Sequence, residues 1–282
     1  MSLLRKALRA AINALRGNDQ QIVVKHLNVP SRYLMRGVKV DVFLPPFYRR
    51  SNDKYPVLWF NDGQDMLALG MYDTLTRLYE QGATSKLIVV AIYSNEHRMD
   101  EYGVAGIPDY KHRGAKATEY TAFVLEELLP FLRSDFRLRT EAAYNVFAGC
   151  SLGGLSAFDL VWSHPEVFGK VGAFSASFWW RSKVSTLDAP DANRIIPTLL
   201  AAGSKKAGLK FWFEVGTRDE PDDRNGNGII DSIDDTRDVI NLLVGMGYRP
   251  HEDIEYTEVE DGEHNQGTWG AVMSDFLEWG FQ

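Results

Sequence analysis

The sequence predicts an α/β fold with a mostly parallel, eight-stranded sheet covered by helices on both faces. Short apolar runs of strand length alternate with helical stretches along most of the chain. Runs that are apolar throughout are typical of strands buried on both faces, as in parallel sheets. No internal repeat or low-complexity linker divides the chain. We therefore expect one domain at 19–282, preceded by an N-terminal helix at 1–18.

The predicted strands are short apolar segments bounded by turn residues. The first two should form an antiparallel start to the sheet, ending at Pro45 and Pro46. Right-handed crossovers between the parallel strands then place their carboxyl ends on one edge, where ligands bind in such sheets. The eight predicted strands lie at 21–29, 34–45, the start of YPVLWFNDGQDM (55–66), 86–94, 143–149, 170–178, 210–217 and 253–262.

The predicted helices of the domain lie between these strands, at 69–81, 117–133, 153–164, 235–247 and 268–279. The segment at 1–18 carries four basic residues, no acid and an amphipathic period. Basic residues interrupt its apolar positions, unlike the apolar centre of a secretory signal. A helix docked on the domain surface is our interpretation, and a membrane-surface helix or a transit-like peptide is the alternative.

Composition excludes several classes of protein. The net charge of −7 argues against a nucleic-acid binder, which would show a basic face. The acidity is concentrated at 217–263, which holds 15 Asp and Glu and four Arg. The single cysteine permits no internal disulfide, so we expect a cytoplasmic location. The sequence contains no run of 18 apolar residues, so it predicts no ordinary transmembrane segment.

A serine flanked by glycines stands between a predicted strand and a predicted helix. The segment GCSLG at 149–153 fits the G-x-S-x-G pattern of a nucleophile on a strained turn. Side chains at Gly149 and Gly153 would collide with the neighbouring strand and helix. A tight packing turn is the alternative, but the strand–turn–helix context favours a nucleophilic Ser151.

A serine hydroxyl needs a positioned base, and the base needs an orienting carboxylate. In sheets of this type the chain order is Ser, acid, His. His264 fits the base because it follows the last predicted strand, whereas His251 precedes that strand at the opposite edge. Asp219, which comes directly after the 210–217 strand, is the predicted acid, and Glu220 is its rival.

Two backbone N–H groups are predicted to bind an oxyanion. That of Leu152 lies at the start of the helix after the serine, and that of Gln64 lies in the turn that follows the third strand. An ordinary turn is the alternative for the second. Trp179, Trp180 and Trp269 follow elements that end at the catalytic edge, and either line a substrate pocket or pack in the core.

The segment DRNGNGIIDSID at 223–234 matches the twelve-residue pattern of calcium-binding loops. Its last position is Asp rather than Glu and no clear helix precedes it, so a surface loop rich in Asx turns is the alternative. We expect no cofactor for catalysis, and a structural calcium that stiffens the segment carrying Asp219. The predicted ligands are Asp223, Asn225, Asn227, the Ile229 carbonyl, Asp231 and Asp234.

Five segments carry a family resemblance, which covers about residues 20–282. They are YPVLWFNDGQDM, EELLPFLRSDFRLR, FAGCSLGGLSAFDLVWSHPEVFGKVGAFSASFWW, FEVGTRDE and DGEHNQGTW. With them the chain resembles the esterase D / enterochelin-esterase-like family of α/β-hydrolases. The resemblance implies the α/β-hydrolase fold, ester chemistry on a small molecule, and the nucleophile, acid and base at Ser151, Asp219 and His264. It leaves the acyl group open, and a calcium loop is not a general feature of the family.

These observations together favour a serine carboxylesterase that works through an acyl-enzyme. An acyl transferase with the same triad, passing the acyl group to an alcohol, is one alternative. A catalytically silent hydrolase fold that serves as a binding protein is another. The intact triad spacing argues against the silent form, because a decayed site usually loses a member.

Overall fold

The computed structural model describes residues 19–282, so the predicted helix at 1–18 lies outside the described residues. Eight strands form the sheet: β1 (Val23–Ser31), β2 (Arg36–Leu44), β3 (Val57–Asn61), β4 (Ile88–Ile92), β5 (Asn145–Cys150), β6 (Lys170–Phe174), β7 (Lys210–Arg218) and β8 (Ile254–Glu263). Their order is β1-β2-β4-β3-β5-β6-β7-β8. β2 runs antiparallel to β1 and β4, and every other neighbouring pair is parallel.

Nine α-helices connect the strands of the described residues. They are α1 (Met71–Gln81), α2 (Arg98–Glu101), α3 (Ala117–Ala122), α4 (Leu129–Asp135), α5 (Leu152–Ser163), α6 (Ile195–Ala201), α7 (Asp231–Gly245), α8 (Gln266–Ala271) and α9 (Met273–Phe281). A π-helical segment, Phe123–Leu128, joins α3 to α4. Between residues 19 and 282, no helix combines the length and apolarity needed to cross a membrane.

Several helices differ in detail from the prediction, and the short helix α2 was not predicted. The predicted helix at 268–279 is two helices that meet at Val272. Helix α7 begins at Asp231 rather than at 235, with acidic residues in its first turn where the helix dipole favours them. Helix α6 was not predicted, because its seven residues include Pro197 and show no clear amphipathic period.

The sheet has a hydrophobic core on each face, because successive side chains of a strand point to opposite sides. Trp59 lies in one core, whereas its neighbours Leu58 and Phe60 lie in the other. Helices α3 to α7 cover the first core, and α1, α8 and α9 cover the second. The predicted architecture, a mostly parallel eight-stranded sheet with helices on both faces, is confirmed.

The strand register aligns the ends of the central strands at one edge of the sheet. Cys150 of β5 pairs with Phe174 of β6, so Ser151 lies directly beyond the sheet at that edge. Asp219 follows the last residue of β7, and His264 follows the last residue of β8. Three side chains separated widely in sequence therefore come from the ends of β5, β7 and β8 at the same edge of the sheet, with only β6 between β5 and β7.

Candidate active site

Ser151 occupies a strained turn between β5 and α5. Its φ of 56° and ψ of −126° lie in a region that residues with a side chain rarely adopt. Its N–H donates to the Phe174 carbonyl at 2.8 Å, and its carbonyl accepts from the Ser177 N–H at 3.1 Å. These bonds hold the turn, which presents Ser151 at the N-terminus of a helix.

Two glycines allow close backbone contact around this turn. A Cβ on Gly149 would lie 2.5 Å from the carbonyl oxygen of Gly153. A Cβ on Gly153 would lie 2.8 Å from Oδ2 of Asp62. The first distance, to a backbone atom, cannot accommodate a carbon atom, so position 149 requires glycine, whereas a Cβ at Gly153 would force the Asp62 carboxylate to shift. Cys150, which stands between Gly149 and Ser151, is buried and packs as a small apolar residue.

His264 forms a hydrogen bond with Asp219, with 2.8 Å between Nδ1 and Oδ2. The Asp219 side chain is 2% exposed and the imidazole 39% exposed. Because Nδ1 carries the proton that the carboxylate accepts, Nε2 is the ring atom that can take up another proton. The structure pairs His264 with Asp219 rather than with the rival Glu220.

Two further residues support this pair, and sequence reasoning missed their role. The Ser175 hydroxyl donates to Oδ1 of Asp219 at 2.8 Å, and the Trp269 indole N–H donates to the Ser175 oxygen at 2.9 Å. The Trp269 ring also meets the His264 ring edge to face, with centroids 5.1 Å apart. Trp269 therefore supports the His264–Asp219 pair from the side of the hydrophobic core. The only sequence signal for Ser175 was its position at the end of β6.

The backbone on either side of His264 is fixed by the start of α8. Asn265 caps this helix, its side chain accepting from the Thr268 N–H at 3.1 Å. The Thr268 hydroxyl accepts from the Glu263 N–H at 2.9 Å. These bonds set the direction of the loop from which the imidazole projects.

The two predicted oxyanion donors belong to turns that contact each other. Leu152 is the first residue of α5, and Gln64 is the second residue of the 3₁₀ turn Gly63–Asp65. N–H groups at the start of a helix have no acceptor within it. The Asn61 side chain donates to the Gly153 carbonyl at 2.8 Å and so joins the two turns.

A cleft of about 320 Å³ brings most of these groups together. It is lined by Ser151, Ser175, Ala176, Ser177, Trp179, Asp219, Glu220, Ser232 and His264. Burial and the nearby charge of Asp231 raise the pKa of Glu220 to about 7. Of the three predicted substrate-binding tryptophans, only Trp179 lines this cleft. Trp180 lies in the hydrophobic core and is 1% exposed.

The acidic loop at 223–234 brings some of its predicted calcium ligands together. The amide groups of Asn225 and Asn227 lie 3.1 and 2.6 Å from the Asp234 carboxylate. Asp231 instead pairs with the Arg224 guanidinium at 3.1 Å. Within residues 19–282, no group of three or more His, Cys, Asp or Glu side chains is arranged to hold a metal. Carboxylate and amide oxygens suit a hard cation, so calcium binding by this loop stays a prediction. Asp231, which pairs with Arg224, is no longer among the predicted ligands.

If calcium binds the loop, the melting temperature should be higher in calcium than in EDTA. A ligand at 100 times its Kd stabilises the folded state by about 2.7 kcal/mol, which for a chain of this size is a shift of roughly 5 °C. The Asp234→Asn variant should lose the shift. Asp261→Asn, which removes an exposed acid paired with Arg218, should keep it. Equal melting temperatures of the natural protein in calcium and in EDTA would refute calcium binding.

Comparison with known sequences finds one family. The sequence model of the family described as "Putative esterase" matches residues 31–279. The uncharacterized protein YbbA of Bacillus subtilis (strain 168) is 25% identical over 153 residues, or 53% of this chain and 60% of YbbA. The iron(III) enterobactin esterase of Escherichia coli (strain K12) is 34% identical over 97 residues, or 34% of this chain and 23% of that protein. The matches thus span less than two thirds of either relative.

The fold is similar to that of a ferulic acid esterase of known structure. The TM-score is 0.72 at 19% identity, over 93% of this chain and 98% of the other. At this identity the likeness shows the fold alone. It confirms the predicted α/β-hydrolase fold.

Proposed function

The chain belongs to the "Putative esterase" family, and from this premise we propose that it is a serine carboxylesterase acting on a small-molecule ester. The family and the fold support ester hydrolysis. The assignment of Ser151 as nucleophile, His264 as base and Asp219 as orienting acid is our proposal. It is supported most by one observation: the His264–Asp219 hydrogen bond lies in the cleft lined by the strained Ser151.

In the first half of the proposed reaction, the Ser151 hydroxyl attacks the ester carbonyl while Nε2 of His264 takes its proton. Asp219 holds the imidazole by its Nδ1–H and stabilises the positive charge that forms on the ring. The Ser175 hydroxyl, donating to the other carboxylate oxygen, keeps Asp219 from turning away.

The tetrahedral intermediate places a negative charge on the former carbonyl oxygen. The N–H groups of Leu152 and Gln64 are proposed to bind this oxygen, helped by the positive end of the α5 dipole. His264 then protonates the leaving alcohol, and an acyl group remains on Ser151. Water, activated by the same imidazole, hydrolyses this acyl-enzyme and restores the serine. We propose that Trp179 contacts the substrate, because it lines the cleft beside the serine.

Steady-state hydrolysis of short-chain nitrophenyl esters tests the proposal. The natural protein should release nitrophenolate with saturation kinetics, and Ser151→Ala should be slower by several orders of magnitude. Addition of glycerol or methanol separates the hydrolase from a transferase. For a hydrolase the carboxylic acid remains the main product, whereas a transferase yields the new ester. Absence of turnover over a panel of acetyl, feruloyl, siderophore and glutathione esters would favour a silent binding protein.

A further inference from the structure

An ion pair between a buried carboxylate and a partly exposed arginine lies beside the two proposed oxyanion donors. The Asp62 side chain is 4% exposed and precedes Gln64 by two residues. Arg98 of α2 donates to both of its oxygens, from Nε to Oδ1 at 2.9 Å and from Nη2 to Oδ2 at 2.8 Å. A two-pronged contact of this kind fixes orientation as well as distance.

The backbone at Asp62 needs such support. Its φ of 58° and ψ of 52° are left-handed, a conformation that persists only where the surroundings hold it. Oδ1 also accepts from the Ser94 hydroxyl at 2.7 Å and from the Gln64 side chain at 3.1 Å. The Asp62 N–H donates to the Tyr102 hydroxyl at 3.1 Å. The turn that carries the Gln64 N–H is thus held from three sides.

The same arginine reaches the turn that carries the serine. Nη2 of Arg98 lies 3.5 Å from the carbonyl oxygen of Cys150, the residue before Ser151. Oδ2 of Asp62 lies so close to Gly153 that a Cβ there would displace the carboxylate. The ion pair therefore contacts both turns from which the proposed donors project.

We propose that Asp62 and Arg98 are positioning residues that set the separation of the Gln64 and Leu152 N–H groups. The inference rests on the proposed function, since only a reaction that passes through an oxyanion needs these donors. The Asp62 carboxylate does not bind the oxyanion, because the two negative charges would repel each other. The pair should affect kcat far more than KM, since the donors bind the tetrahedral intermediate more strongly than the ester.

The variants Asp62→Asn and Arg98→Lys test this role with matched nitrophenyl esters and thionoesters. Asp62→Asn keeps the shape of the side chain and loses its charge. Arg98→Lys keeps the charge and loses the planar guanidinium that binds both carboxylate oxygens. Each should lower kcat for the oxygen ester about 10- to 100-fold with KM changed less than threefold. The preference for the oxygen ester over the thionoester should shrink at least fivefold, because a loosened oxyanion site discriminates less between oxygen and sulfur.

Glu101→Gln is the matched control. Glu101 lies on the same helix as Arg98, has a carboxylate as buried as that of Asp62, and pairs with Arg36 through two hydrogen bonds. Loss of the Glu101 charge should lower the stability of the protein. It should leave kcat and the preference for the oxygen ester over the thionoester unchanged. If Asp62→Asn does not fold, Arg98→Lys decides the question.

Two outcomes separate this inference from the proposed function. If Ser151→Ala is inactive while Asp62→Asn and Arg98→Lys keep their kcat or their full preference for the oxygen ester, the positioning role is wrong and the esterase proposal stands. If Ser151→Ala is as active as the natural protein, the proposed function is wrong and the positioning role is wrong with it.

Discussion

Replacing Asp219 with asparagine is expected to lower kcat for ester hydrolysis about 10³- to 10⁴-fold. The amide would present N–H or oxygen to Nδ1 of His264 without the charge that stabilises the imidazolium. The His264 ring could then turn or take the wrong tautomer, and Nε2 would no longer accept the Ser151 proton. Steady-state kinetics with a nitrophenyl ester measure the effect, and KM should change little.

Glu220→Gln is the control for this substitution. Glu220 lines the same cleft, is half-buried and is the neighbouring acid in the chain, but His264 bonds to Asp219. Its loss should reduce kcat less than 10-fold. A larger loss in Glu220→Gln than in Asp219→Asn would show that Glu220 is the catalytic acid and that the observed pair is not the functional one.

The second large effect concerns a buried carboxyl group behind the site. Glu214 on β7 is fully buried, and neither carboxyl oxygen has a hydrogen-bond partner within the described residues. Burial, with the nearby charge of Asp219, raises the pKa of Glu214 to about 8. The folded protein therefore holds this proton at neutral pH, whereas the unfolded chain, with an ordinary Glu pKa near 4.3, has released it.

The sign of the pH dependence follows from proton binding. Between about pH 4.5 and 8 the folded state binds one proton more than the unfolded state, so the free energy of unfolding falls as pH rises. Glu214→Gln removes this contribution to the pH dependence of stability, because glutamine does not titrate. The free energy of unfolding of Glu214→Gln minus that of the natural protein should be smallest near pH 5. As the pH rises this difference should increase by up to about 4 kcal/mol and reach a plateau above pH 8. Urea denaturation at pH 5.5, 7 and 8.5 measures the difference.

Glu258→Gln provides the comparison. Glu258 lies on the neighbouring strand β8 but is partly exposed and accepts from Arg237. Its variant should gain no stability as pH rises. If the difference between Glu214→Gln and the natural protein stayed constant across the three pH values, the proposed protonation of Glu214 in the fold would be wrong.

The sheet was predictable from sequence because each strand is a local apolar run. All eight strands were expected, and their ends place Ser151, Asp219 and His264 at one edge as predicted. Helix boundaries were less accurate, because local pattern cannot show tertiary contacts. Val272 interrupts a stretch that looks continuous in sequence, and α6 is stabilised mainly by the core it covers.

The residues that support the candidate site were not predictable in the same way. Ser175 contacts Asp219 across 44 positions of the chain, and Trp269 contacts Ser175 across 94. Arg98 lies on a short helix that was not predicted and that carries no motif, and its partner Asp62 looked like an ordinary turn residue. Motif spacing indicates which groups could react, whereas the bonds that orient those groups depend on the folded arrangement.

Labelling with a fluorophosphonate tests the central claim, that Ser151 is an activated nucleophile, most directly. The natural protein should take up one phosphonyl group, and peptide mass spectrometry should locate it on Ser151 with parallel loss of esterase activity. Ser151→Ala should take up none, and His264→Ala should react far more slowly because the serine has lost its base. Stoichiometric labelling at another residue, or undiminished ester hydrolysis by Ser151→Ala, would contradict the claim.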